Sequence, residues 1–115
     1  MVIEDFFRRQ QELQKKIGND LGNLTFEDRE KWTKEFVLAM HAELTEVLDW
    51  INWKHWKKTR VKYDAQRINE IQMEIIDLFH FLLNLCQIWG VSPIMFEALF
   101  LEKHKINMER QEKGY

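Results

Sequence analysis

Two acidic pairs carry the chemical interest of this chain: Glu43 with Glu46, and Glu74 with Asp77. Within each pair the carboxylates stand three residues apart, so on a helix they share a face. Their neighbours are apolar, with Leu44, Val47 and Leu48 around the first pair and Ile75, Ile76, Leu78 and Phe79 around the second. Four carboxylates facing one another in an apolar cleft cannot all stay ionised without compensation. A hard divalent cation is the natural compensation, because it takes oxygen ligands and keeps positions open for water and substrate phosphates. An isolated acidic pair usually marks a solvated helix face. Here two pairs fall in the most apolar parts of two long segments, and the spacing extends to Asp49 on one stripe and to His80 on the other. A di-iron site would need Glu-x-x-His from each of two helices. The chain has Asp77-x-x-His80 once, which favours an all-carboxylate Mg²⁺ or Mn²⁺ site. Such an ion meets phosphates, and a metal-bridged phosphate chain invites hydrolysis by an activated water.

If phosphates are the ligands, cations should converge on the same cleft. Lys103, Asn107 and Arg110 recur at helical spacing near the end of the chain, where they suit phosphate oxygens, Arg110 through a bidentate fork. The alternative for this segment is an ordinary amphipathic helix with a charged surface. A second basic stretch, Trp53-Lys54-His55-Trp56-Lys57, interleaves flat rings with cations. It suits base stacking with phosphate contact, or core anchoring by two Trp with exposed Lys.

The elements that must position these residues all read as helices. Phe6, Phe7, Leu13 and Ile17 mark a first helix from about residue 3 to 17, closed by Gly18. Thr25 with Asp28 three residues on resembles the cap of a second helix reaching about Trp50. Asp64 suits the cap of a third, about residues 65 to 89, which Gly90 ends. Ser92-Pro93 opens a fourth, expected to reach about Gln111. A short link makes the second and third helices antiparallel neighbours, so the middles of both can meet. No alternating strand pattern, internal repeat or low-complexity linker is present. The expectation is an all-α bundle of four to five helices forming a single domain over residues 1–115.

Bulk properties exclude little but agree. At 115 residues the chain holds one domain at most, and 45% hydrophobic with 31% charged residues is ordinary for a soluble globular protein. Five Trp and eight Phe are many for so small a core, which suggests a subunit interface or a stacking pocket. A net charge of −2 argues against general nucleic-acid binding. Cys86, the single cysteine, excludes an intrachain disulfide and suggests a reducing, cytoplasmic setting. No run of apolar residues reaches a membrane span, and the acidic start does not resemble a signal peptide.

Taken together, these motifs resemble the all-α nucleoside triphosphate pyrophosphatases of the MazG-like superfamily, and within it the dimeric dUTPases. The superfamily hallmark, Glu-x-x-Glu followed by Glu-x-x-Asp, stands at Glu43/Glu46 and Glu74/Asp77. Ala42–Asp49 followed by Trp53–Lys57 looks like the second motif of the dimeric dUTPases, and Glu74–Phe81 like the third. Lys103, Asn107, Arg110, Gly114 and Tyr115 look like the closing phosphate-binding motif. Leu13–Ile17 resembles the first-helix segment that carries a uracil-contacting Gln.

The resemblance implies hydrolysis of dUTP, and of dUDP, to dUMP, with Mg²⁺ and a homodimer. It implies Glu43, Glu46, Glu74 and Asp77 as metal ligands, with Glu46 also orienting or deprotonating the attacking water. Lys57, Lys103, Arg110 and Tyr115 would hold phosphates. Gln14 would read uracil, with Gln10 and Gln11 close by, while Asn107 would contact the sugar or base. Trp56, His80 and Phe81 would wall the nucleoside pocket. Larger members carry extra helices before the closing motif that this chain lacks, so the second subunit is expected to supply part of the pocket wall. Two other readings stay open at this point: a house-cleaning pyrophosphatase of broader nucleotide preference, and a helical interaction protein with solvated acidic stripes.

Overall fold

Helix ends in this chain are written in single residues, and the computed structural model, which describes residues 2–114, places them where those residues fall. Helix α1 spans Val2–Ile17, α2 Phe26–Asp49, α3 Ala65–Ile88 and α4 Pro93–Glu112. No strand occurs among the described residues. Each later helix opens on a side-chain cap that satisfies an otherwise orphaned backbone donor. Thr25 Oγ1 accepts from the Asp28 N–H at 3.2 Å, Asp64 Oδ1 from Arg67 at 2.8 Å, and Ser92 Oγ from Met95 at 3.2 Å. Gly18 and Gly90 end α1 and α3 with φ of 105° and 69°, a left-handed backbone that favours glycine.

Helices α2 and α3 run antiparallel side by side. Trp50 receives the Arg67 guanidinium at its carbonyl (2.9 Å), Phe36 meets Phe81 with ring centroids 6.1 Å apart, and Thr33 accepts from the Trp89 indole at 2.9 Å. The link between them is clasped by one residue. Asn52 donates from its amide to the Val61 carbonyl and accepts from the Val61 N–H, both at 2.9 Å, while its own N–H donates to the Tyr63 hydroxyl at 2.9 Å. Helix α1 packs on α3, and Leu21 in the α1–α2 loop enters the core with Phe36 and Ile88. Leu24, Trp32, Phe81 and Leu85 pack around these three, so part of the aromatic excess is spent in the core.

Helix α4 is different. Among the helices it contacts α1 alone, and none of its residues is buried. The radius of gyration is 17.8 Å, whereas a compact domain of this length has about 13 Å. Helix α3 also departs from an expectation: its 24 residues are long and apolar enough to cross a membrane by length and composition. Glu74 and Asp77 lie within it, and carboxylates at membrane depth are costly.

Candidate functional site

The antiparallel register of α2 and α3 brings the middles of both helices together, and with them the acids. Oxygens of Glu43, Glu46 and Glu74 lie within 4.8 Å of one another. Glu43 and Glu74 are half-buried and Glu46 is exposed at the edge of the trio. Partial burial raises the Glu43 carboxyl above its ordinary range, and the charges of Glu46 and Asp77 add to the rise. Glu74 is pushed up to about 7, first by desolvation, then by the Glu46 carboxyl as hydrogen-bond neighbour and by the charges of Glu46, Glu43 and Asp77. Its Oε2 is covered and has no hydrogen-bond partner.

A covered carboxylate oxygen without a donor, beside two further carboxylates, is a donor set that suits a hard divalent cation. Asp77 stands outside the trio, close enough to repel Glu43 and Glu74. It shares a cavity with Glu43.

That cavity, of about 340 Å³, lies between α1 and the α2–α3 pair and is lined by Gln10, Gln14, Glu43, Asp77, His80, Phe81 and Asn84, among others. Its floor is a polar chain, with Leu13, Ile17 and Phe81 as the apolar part of the wall. Gln10 donates from Nε2 to Asn84 Oδ1 at 2.8 Å, and its Oε1 meets His80 Nδ1 at 2.6 Å. Gln14 Oε1 accepts from Asn19 Nδ2 at 3.0 Å. Gln10, Gln14 and Asn84 are all buried, which is tolerable because each is hydrogen-bonded. Asn84 was not singled out from the sequence, yet it continues the stripe of Asp77 and His80 by four residues. A lone Asn in the most apolar stretch of α3 was the available signal. His80 turns to Gln10 on α1, which separates it from the metal stripe its spacing suggested.

A second cavity, of about 360 Å³, opens at the other end of the trio, lined by Asp49, Asn52, Trp53, Lys54, Lys57, Thr59 and Arg60 with neighbouring apolar residues. Asp49 faces this cationic hollow and does not join the trio. Trp56 does not line the nucleoside-sized cavity. It stands 62% exposed on the connector, edge-on to Trp53 with centroids 5.8 Å apart, because the Asn52 clasp folds the connector onto the far end of α2.

The structure does not bring Lys103, Asn107 and Arg110 to the acids within one chain, since α4 packs only on α1. Tyr115 lies outside the described residues.

Known proteins resemble the stretch of chain that carries these features. The dUTPase family model matches residues 2–91, a stretch holding α1 to α3, the carboxylate trio and both cavities. The dCTP pyrophosphatase of Enterobacteria phage T4 is 35% identical over 71 residues, covering 55% of this chain and 42% of that protein. The dCTP pyrophosphatase of Enterobacteria phage LZ5 is 34% identical over 71 residues, covering 55% of this chain and 41% of that protein. The alignments thus span less than half the length of these relatives. No solved structure matches the chain. With three of its helices and the whole acidic constellation inside the family match, the chain belongs to the dUTPase family.

Proposed function

We propose that this chain hydrolyses a pyrimidine deoxynucleoside triphosphate to its monophosphate and pyrophosphate, with dUTP as substrate and dUDP accepted alongside it. One observation carries the reading: a single stripe on α2 passes from a base-sized cavity, through the carboxylates, to a cationic hollow. Glu43 lines the first cavity, Glu46 belongs to the trio, and Asp49 lines the second. Six residues of helix cover about 9 Å, comparable to a nucleotide's polyphosphate chain.

Glu43, Glu46 and Glu74, with Asp77 beside them, are the residues to hold Mg²⁺, for which Mn²⁺ can substitute. When bound, that ion supplies charge neutralisation and polarises phosphate oxygens. The chain's own residues do the rest. Glu46, the exposed member of the trio, takes the proton from the attacking water. Lys57, with Lys54 and Arg60 around the same hollow, binds phosphate oxygens and orients the leaving pyrophosphate. In the other cavity Phe81 offers a flat apolar wall to the base. Gln14 and Asn84 have their oxygens engaged with Asn19 and Gln10, leaving amide N–H groups to donate. Two donors suit the two carbonyls of uracil, whereas cytosine carries one.

A second reading, dCTP as substrate, is favoured by the names of the two phage relatives. Pyrophosphate release from dUTP, dCTP, dTTP, dATP, dGTP and UTP, each with Mg²⁺, separates the readings. Turnover of dUTP at least ten times that of dCTP is expected. The reverse ratio would move the assignment to dCTP, and equal turnover of all six would mark a broad house-cleaning enzyme.

A further inference from the structure

Uracil and cytosine share the carbonyl O2 and differ at the next two ring positions. Uracil offers a donor, N3–H, beside an acceptor, O4. Cytosine offers an acceptor, N3, beside a donor, its amino group. A site that tells them apart has to hold one acceptor and one donor in a fixed order. Gln14 does not do this. Its Oε1 accepts from Asn19 at 3.0 Å, which leaves its amide N–H to donate whichever base is present. That donor fits the carbonyl both bases share.

His80, Gln10 and Asn84 form one hydrogen-bonded chain, and each link in it has a direction. Gln10 donates from Nε2 to Asn84 Oδ1 at 2.8 Å, and its Oε1 lies 2.6 Å from His80 Nδ1. A carbonyl oxygen only accepts, so His80 carries a proton on Nδ1 and the neutral ring has its lone pair on Nε2. At the other end Asn84 has its oxygen engaged and keeps its amide N–H to donate. Both ends line the cavity, one as acceptor and the other as donor. The oxygen and nitrogen of an amide are nearly alike in size, so the chain has a second state of the same shape. Turning the Gln10 and Asn84 amides over and moving the His80 proton to Nε2 makes His80 the donor and Asn84 the acceptor. Turning Gln10 alone would set N–H against N–H at His80 and oxygen against oxygen at Asn84. Gln10 and Asn84 are only 4% and 1% exposed, so water cannot relieve such a mismatch. The two ends therefore change roles together.

We propose that Gln10 is the positioning residue that sets uracil against cytosine, by holding His80 and Asn84 in opposite hydrogen-bonding roles. With the chain in its present direction, Gln14 donates to O2 of uracil, His80 Nε2 accepts from N3–H and Asn84 donates to O4. With the direction reversed, His80 donates to N3 of cytosine and Asn84 accepts from the amino group, while Gln14 keeps O2. A proton moved within one imidazole and two amides turned over thus separate a uracil site from a cytosine site, with no change of backbone. This rests on the cavity being the base pocket of the proposed hydrolysis.

Two substitutions at Gln10 test it, with circular dichroism to check that each variant folds. Gln10→Glu leaves only acceptors at the centre of the chain, so both neighbours donate to it. Asn84 then turns its oxygen to the cavity, and His80, paired with a carboxylate, holds a proton on each ring nitrogen. That pattern matches cytosine, and the ratio of kcat/KM for dUTP to that for dCTP should fall about 100-fold or more. Gln10→Leu cuts the chain and frees both ends, so the ratio should approach one. A Gln10 that only supports the fold would lower turnover of both nucleotides alike. An unchanged ratio in either folded variant would overturn the proposal. A second measurement needs only the wild-type chain. Nitrogen NMR of histidine-labelled protein reads which ring nitrogen of His80 carries the proton, and His80→Asn identifies its signals. Nδ1–H is expected in the free chain and with saturating dUMP, and Nε2–H with saturating dCMP. Nε2–H in the free chain, or the same tautomer with both nucleotides, would overturn the proposal. A chain that hydrolyses neither triphosphate yet changes tautomer between dUMP and dCMP would count against the assigned reaction alone.

Discussion

Glu74 concentrates the tension in the site. Its carboxyl is half-buried, has a covered oxygen without a donor, and is pushed up to about 7 from 4.5 by desolvation and the neighbouring carboxylates. A carboxyl raised in the folded state stabilises the metal-free fold fully below about pH 4.5, and that contribution is lost as pH rises through about 7. A divalent cation reverses the dependence, since it binds the deprotonated form. Thermal melts should therefore show Mg²⁺ raising the midpoint more at pH 8 than at pH 5.5. Glu74→Gln should melt higher than wild type without metal at pH 8 and lose most of the Mg²⁺ gain; equal Mg²⁺ gains at both pH values would deny the trio its ion. At the cavity floor, Gln14→Ala removes a buried amide that anchors Asn19 and lines the cavity proposed for the base. We expect KM for dUTP to rise about tenfold, in line with about 1–3 kcal/mol for a buried hydrogen-bonding group. Selectivity among bases should fall while Mg²⁺ stabilisation is kept. Unchanged selectivity would remove Gln14 from base recognition.

At the scale of elements, much was legible because the determinants are local. Thr25, Asp64, Ser92-Pro93, Gly18 and Gly90 act within a few residues of themselves, and the helices begin and end within one or two residues of where these signals stand. The acidic pairs were legible for the same reason: three-residue spacing on two helices joined by a short link leaves few arrangements. What the sequence left open is tertiary. The turn of His80 to Gln10 depends on where α1 lies across α3, and nothing within four residues of His80 encodes that. Trp56 and Asp49 are placed by the clasp at Asn52, whose partners Val61 and Tyr63 lie nine and eleven residues away. Asn52→Ala removes both side-chain hydrogen bonds and should cost about 1–2 kcal/mol. It should also loosen Lys57 and Arg60, so KM should rise more than kcat falls. A midpoint and KM equal to wild type would show the connector to be held by other means.

At the scale of the whole molecule, α4 stands apart from the packed body. The radius of gyration of 17.8 Å and a fourth helix without a buried residue describe an arm more than a packed layer. The dUTPase family match ends at residue 91, just short of that arm. The packed body is therefore α1–α3, which carries the trio and both cavities together. The central claim is that these carboxylates run a metal-dependent hydrolysis, and the most direct test is pyrophosphate release from dUTP by wild type and Glu46→Gln, each with Mg²⁺ and with chelator. The account predicts turnover by wild type with Mg²⁺ only, and a loss of about 100-fold or more in the variant, the scale of a missing general base. Turnover that survives chelation, or an equally active Glu46→Gln, would contradict it.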